Sequence, residues 1–93
     1  MPRKLSNKDS ALFLKQCPGW KINKGKLCRE WKFKDYKETF RAVSKIASLA
    51  EREGHHPDIF FTWGKLSVEL YTHAIKGLSE KDFSLAVKID RVL

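Results

Sequence analysis

The sequence predicts an α+β fold, with a four-stranded antiparallel sheet, helices packed on one face, and the order α-β-β-α-β-β-α. Three observations carry this. Two hydrophobic stretches alternate with a period of two, each broken by a glycine-containing turn, so each reads as a hairpin. A long stretch between them, residues 36–53, repeats its apolar residues every three to four positions, as a helix does. Both ends of the chain carry a helix start signal before a shorter apolar repeat. Ninety-three residues suit a single domain over 1–93.

In chain order, Ser6 caps a first short helix, with Asp9 at the positive end of its dipole and Leu12, Phe13 and Gln16 forming its amphipathic turn. The stretch "CPGW" stops it. Trp20 and Ile22 open a strand, "NKGK" turns the chain, and "LCREWKF" returns it. In that return strand Leu27, Arg29, Trp31 and Phe33 share one parity. "DYKE" reads as a capping box, Asp35 at the N-cap and Glu38 three residues on. The helix it opens is expected to bury Tyr36, Phe40, Val43, Ala47 and Ala50, with Ile46 and Leu49 widening the stripe. Gly54 is its natural stop.

"DIFFTWGKLSVELYTH" predicts the second hairpin, turning at Gly64-Lys65. That puts Ile59, Phe61, Trp63, Leu66, Val68 and Leu70 toward the helices. Phe60, Thr62, Ser67, Glu69, Tyr71 and His73 take the other face, which a solvated surface or another subunit could cover. Ser79 caps the last helix with Asp82 as its partner, Leu78 and Phe83 forming a hydrophobic staple. Leu85, Ala86, Ile89, Val92 and Leu93 supply its apolar side.

Composition narrows the function classes. The chain is 42% hydrophobic, which excludes an intrinsically disordered class. No apolar run approaches the ~20 residues that cross a bilayer. "MPRKLSNKDS" has no apolar stretch of a secretory leader, so a cytoplasmic setting is expected. Cys17 and Cys28 form neither a C-x-x-C motif nor a disulfide framework, and read as reduced thiols. The net charge of +8 falls wholly on residues 1–34. Without a nucleic-acid motif beside it, that charge reads first as a solvated lysine-rich surface and only second as an anion-binding face.

The chemistry concentrates at "EREGHHPD". Two of the three histidines, His55 and His56, stand together where the long helix ends, and Pro57 forces the chain out of helical geometry there. Glu51 lies in the last helical turn. His73 closes the final strand and Asp82 opens the last helix, so helix end, strand end and helix start could meet. Zinc uses such side chains, but a zincin spaces its histidines four apart on a helix. No nucleophile elbow accompanies the cysteines or serines. General acid–base catalysis fits best, since imidazole exchanges protons near neutrality. Each residue also has a structural explanation. His55 or His56 can cap a helix dipole, Asp82 is a capping acid, Glu51 a surface charge, His73 an exposed strand residue, and Trp63 a core residue.

The order Glu51, His55-His56-Pro57, Trp63, His73, Asp82 resembles the signature of the pterin-4a-carbinolamine dehydratases. "LSNKD…PGW", "FKDYKETF", "LAEREGHHPD" and "THAIKGLSEKD" also resemble the corresponding family segments. The resemblance implies a metal-free dehydratase without a cofactor of its own, acting on a 4a-hydroxytetrahydropterin. It implies recycling of the cofactor spent by aromatic amino acid hydroxylases, and a homodimer or homotetramer. It implies catalytic roles for His55, His56 and His73, lining one pterin pocket, and substrate-binding roles for Glu51, Pro57, Trp63 and Asp82. A basic residue precedes that aspartate in many relatives; Lys81 stands there here. The alternative it leaves is a non-catalytic dimerisation or assembly factor that binds a protein partner. Membrane binding is not expected, nor is nucleic acid.

Overall fold

The computed structural model describes residues 2–93. The elements are α1 (Asn7–Leu14), β1 (Lys21–Asn23), β2 (Lys26–Lys32), α2 (Tyr36–Glu53), β3 (Asp58–Phe61), β4 (Lys65–Leu70) and α3 (Glu80–Val92), with one 3-10 turn at His73–Ile75. The strands form a single antiparallel sheet in the order β1-β2-β4-β3, so the two hairpins pair through β2 and β4. Leu27, Leu66, Val68 and Leu70 leave no accessible surface on the inner face, and meet Ile46, Ala86 and Ile89 of the helices in one core. The opposite face carries Glu30, Ser67 and Glu69 together with the exposed Phe60. Among the described residues no helix is long and apolar enough to cross a membrane.

The helix boundaries follow their caps. Ser6 accepts from the Asp9 amide at 3.0 Å and opens α1. Asp35 accepts from the Glu38 amide at 2.8 Å, whereas the Glu38 carboxylate reaches the Lys34 amide at 3.3 Å, one residue before the expected reciprocal partner. Gly54 ends α2 in the left-handed region at φ 66°, with its amide on the Glu51 carbonyl and the His55 amide on that of Ala50. This pair of bonds is a Schellman cap.

The long helix presents a different face from the expected one. Thr39, Ala42, Ile46, Leu49 and Ala50 are buried, while Tyr36 and Phe40 are each more than half exposed and Ala47 faces solvent. The reason lies in the first turn. Thr39 takes the inward position because its hydroxyl donates to the carbonyl of Asp35 at 2.8 Å or of Trp63 at 3.1 Å. A hydrogen-bonded threonine, not an aromatic, docks that end of the helix, and the aromatic ridge turns outward. Tyr36 still rests against the Phe61 ring, 5.9 Å between centroids. In α1, similarly, Phe13 stacks on Phe83 of α3 while Leu12 is 52% exposed.

The second hairpin turns one residue earlier than expected. Thr62 donates to the Lys65 carbonyl at 2.9 Å, so Trp63 and Gly64 form the corner, and Trp63 leaves the inner face to lie 64% exposed. Gly64 is there for space: a Cβ on it would stand 2.8 Å from the carbonyl oxygen of Phe33, the residue after β2. The inward sets of β3 and β4 are unchanged, because moving the corner by one residue moves each cross-strand partner by two.

α3 is pinned to the sheet at its far end. Asp90 accepts from the Trp20 indole at 2.9 Å and from the Arg29 guanidinium at 3.2 Å. Arg29 also donates to the Pro18 carbonyl and lies over the Trp31 ring.

Candidate functional site

α2 delivers His55 and His56, and Pro57 then commits the chain to β3. The Schellman cap fixes the His55 backbone, so its ring leaves the helix end in a set direction toward the start of α3. There its Nε2 meets Asp82 Oδ1 at 2.6 Å. Asp82 is fully buried, and its second oxygen accepts from the Thr72 hydroxyl at 2.8 Å and from the Ser79 amide at 3.0 Å. Thr72 and Ser79 hydroxyls also meet at 2.8 Å. Both carboxylate oxygens are therefore engaged, which is what lets a carboxylate remain buried without a lysine or arginine beside it.

This arrangement sets the chemistry of one imidazole. An ionised carboxylate can only accept, so opposite an ionised Asp82 the His55 Nε2 carries the hydrogen and Nδ1 is the free ring nitrogen. Beside His55 lies a cleft of about 260 Å³, lined by Glu53, His55, Glu80, Lys81, Ser84 and Leu85. His56 and His73 do not line it.

The remaining expected residues group around this pair unequally. His56 Nε2 meets Glu51 Oε1 at 2.8 Å, and both side chains are exposed. Glu51 thus partners the second histidine of the doublet. His73 does not close a strand: β4 ends at Leu70, and His73 opens the 3-10 turn directly after Thr72, its exposed ring edge-on to Tyr71 at 5.1 Å. Pro57 is half-buried at the entry to β3. Trp63 is not brought to the histidines within the chain. Its carbonyl is bonded to Thr39 in the first turn of α2, whereas His55 follows the last turn of that 18-residue helix. A helix of that length spans roughly 27 Å.

Helix end, sheet end and helix start meet at Asp82, which brings in His55, while His56 pairs with Glu51 and His73 lies against Tyr71. Two residues of that junction, Thr72 and Ser79, make a side-chain contact that local pattern does not reveal. Thr72 shares the parity of Leu66, Val68 and Leu70, and a hydroxyl on an apolar face requires a buried partner. Ser79 reads locally as a helix cap, and nothing nearby in sequence signals its second partner, Thr72.

Neither cysteine is suited to nucleophilic work. Burial pushes the thiols of Cys17 and Cys28 up, with help from the carboxylates of Asp90 and Glu69 respectively, so both stay protonated at neutral pH. Among the described residues no three of His, Cys, Asp and Glu lie together as a metal site would need.

Comparison with known proteins gives a consistent picture. A family model described as "Pterin 4 alpha carbinolamine dehydratase" matches residues 3–92. Proteins of Alkaliphilus metalliredigens and Azoarcus sp., both carrying the name "Putative pterin-4-alpha-carbinolamine dehydratase", are 52% and 42% identical over 77% and 95% of this chain. The chain spans 66% and 77% of their respective lengths. Among solved structures, a transcriptional coactivator/pterin dehydratase of Brucella melitensis superposes with a TM-score of 0.90 at 29% identity, covering 97% of this chain and 98% of that one. A pterin dehydratase-like protein identified as a RuBisCO assembly factor in the alpha-carboxysome superposes with a TM-score of 0.68 at 25% identity, over 80% of this chain and 88% of that one.

Proposed function

This chain belongs to the pterin-4-alpha-carbinolamine dehydratase family, and from that premise we propose that it removes water from a 4a-hydroxytetrahydropterin to give the quinonoid dihydropterin. The observation that supports this reading most is the His55–Asp82 contact of 2.6 Å, which holds an imidazole in a defined tautomer at the edge of a cleft.

The reaction asks for two proton movements. A proton must reach the 4a-hydroxyl oxygen as the C4a–O bond breaks, and N5 must give up its proton as the N5=C4a double bond forms. Water and the quinonoid product account for every atom. In our reading His55 makes one transfer from the cleft and His73 the other from the 3-10 turn outside its lining, and His56 mainly positions the substrate. Glu51 orients the His56 ring or bonds the pterin edge. Asp82 is a positioning residue that acts through His55. Lys81, which lines the His55 cleft, is a cation available to the electron-rich pterin carbonyl. Pro57 fixes the spacing between the doublet and β3. Trp63 has no role at the site within a single chain. The reaction so described needs no metal and no additional cofactor, and we expect it in the cytoplasm, recycling the pterin of an aromatic hydroxylase. A homodimer or homotetramer belongs to the same reading, supported by the exposed aromatic side chains of Tyr36, Phe40, Phe60 and Trp63.

A second reading, a non-catalytic assembly factor, draws support from the similarity to the carboxysome protein. The intact set of Glu51, His55, His56, His73 and Asp82 favours the enzyme.

The deciding measurement is dehydration of a 4a-hydroxytetrahydropterin by the wild type, His55→Ala and His73→Ala. The wild type should exceed the spontaneous rate, and each variant should lose on the order of 10²-fold or more. Chelator should leave the wild-type rate unchanged. A wild type no faster than the spontaneous reaction overturns the enzyme reading.

A further inference from the structure

The basic first third of the chain has no part in the proposed reaction, yet it builds a cavity. A groove of about 450 Å³ runs between the segment leading into α1, the β1–β2 turn and the loop after β4. Its floor is apolar, with Leu5 and Ile22, and Tyr71 forms part of one wall. Lys4, Lys24 and Lys76 line it, and no aspartate or glutamate does. Among the described residues none of these three lysines makes an ion pair.

The backbone provides an independent observation. Lys24 at φ 52° and Lys76 at φ 51° are the non-glycine residues with positive φ among those described, and both face this groove. Each precedes a glycine, Gly25 and Gly77. Left-handed backbone is costly for a lysine and nearly free for glycine, or for asparagine in a turn of this kind. Two lysines therefore occupy strained positions that other residues would fill at lower cost, and strain retained in this way is characteristic of ligand sites. Lys4 reaches the groove from the segment before α1. Its stem lies across Gly77, where a Cβ would stand 2.6 Å from the Lys4 Cε, and the neighbouring Leu5 amide is bonded to the Leu78 carbonyl at 2.8 Å.

We propose that this groove binds a small phosphate ester, the phosphoryl group held by Lys4, Lys24 and Lys76 and a flat or apolar body lying on Leu5, Ile22 and Tyr71. The volume falls in the range of small-molecule pockets. Three unpaired ammonium groups over an apolar floor suit a ligand that is anionic at one end only. The inference goes beyond the dehydratase reading and stands without it, since it concerns binding alone.

The test uses phenyl phosphate, inorganic phosphate and phenol, titrated into the isotope-labelled protein and followed by amide NMR. Phenyl phosphate should shift Lys24, Gly25, Lys76 and Gly77 and bind more tightly than phosphate, and phenol alone should shift none of them. Lys24→Gly and Lys76→Gly should each weaken phenyl phosphate binding about five- to tenfold. The same substitutions should raise the melting temperature by about 2–5 °C by relieving the backbone. Gains in stability with affinity unchanged overturn the proposal, as do shifts spread evenly over the lysine-rich surface.

Discussion

His55 Nε2 stands 2.6 Å from Asp82 Oδ1, and the two residues come from opposite ends of the site, one just past the C-terminus of α2 and the other in the first turn of α3. The contact locks two helices together through a buried carboxylate. It also selects which imidazole nitrogen is free.

Asp82→Asn separates these effects. The amide keeps the size of the carboxylate but can present an N–H toward His55 Nε2, which favours the other tautomer and moves the hydrogen to Nδ1. Dehydration should fall on the order of 10²-fold. Stability should fall as well, by about 1–3 kcal/mol, because the Thr72 and Ser79 donors lose a charged acceptor. Steady-state kinetics beside urea denaturation checks both. Full activity in a destabilised protein would leave Asp82 with a structural role only.

Glu51→Gln should behave in the opposite way. The Glu51–His56 pair is exposed on both sides, 81% and 65% by side chain, and such pairs contribute less than ~1 kcal/mol. A carboxylate in the last turn of α2 also opposes the helix dipole, so its removal costs nothing on that account. The melting temperature should hold while KM for the pterin rises. A large thermal shift without a kinetic change would remove Glu51 from substrate binding.

These contrasts show what the sequence could carry. Periodicity and cap residues were sufficient for the element order, because each cap works within four residues of chain: Ser6 with Asp9, Asp35 with Glu38, Gly54 with Glu51. The inner faces of β2 and β4 were legible for the same local reason. The face of α2 was not, because Thr39 is drawn inward by a carbonyl 24 residues away. The corner at Trp63-Gly64 depends on the passage of Phe33 beside Gly64, again a long-range contact. At the site, the doublet and its flanking acids were visible as residue types. Their pairing was not, since Glu51 reaches His56 while Asp82 takes His55.

Cys17 offers a pH-dependent readout. Burial pushes its thiol up, and the Asp90 carboxylate adds to this, so at pH 7.5 it should alkylate far more slowly than a free thiol, with a rate that climbs with pH. The half-buried Cys28 is raised by its own burial and by Glu69, and should also be slow. Linkage gives the sign for stability. Below about pH 8.5, the ordinary thiol range, folded and unfolded chains both hold these protons, and nothing changes. Above it the unfolded chain releases them first, so the thiols draw stability down as pH rises. Cys17→Ala should flatten part of that alkaline slope in urea titrations; an identical slope would mean other groups set it.

Gly54→Ala tests whether the cap positions the catalytic ring. Nothing lies within 4 Å of an added Cβ there, so the cost is purely that of a left-handed alanine, about 1 kcal/mol. Asparagine tolerates this backbone better and should recover part of the loss. Because the next amide, that of His55, completes the Schellman cap on Ala50, relaxation at residue 54 moves the ring that meets Asp82. Dehydration should therefore fall further in Gly54→Ala than in Gly54→Asn, in step with the loss in unfolding free energy. Were the two variants equally active despite different stabilities, the His55 ring would be held by Asp82 alone, and the helix cap would serve the fold without tuning the site.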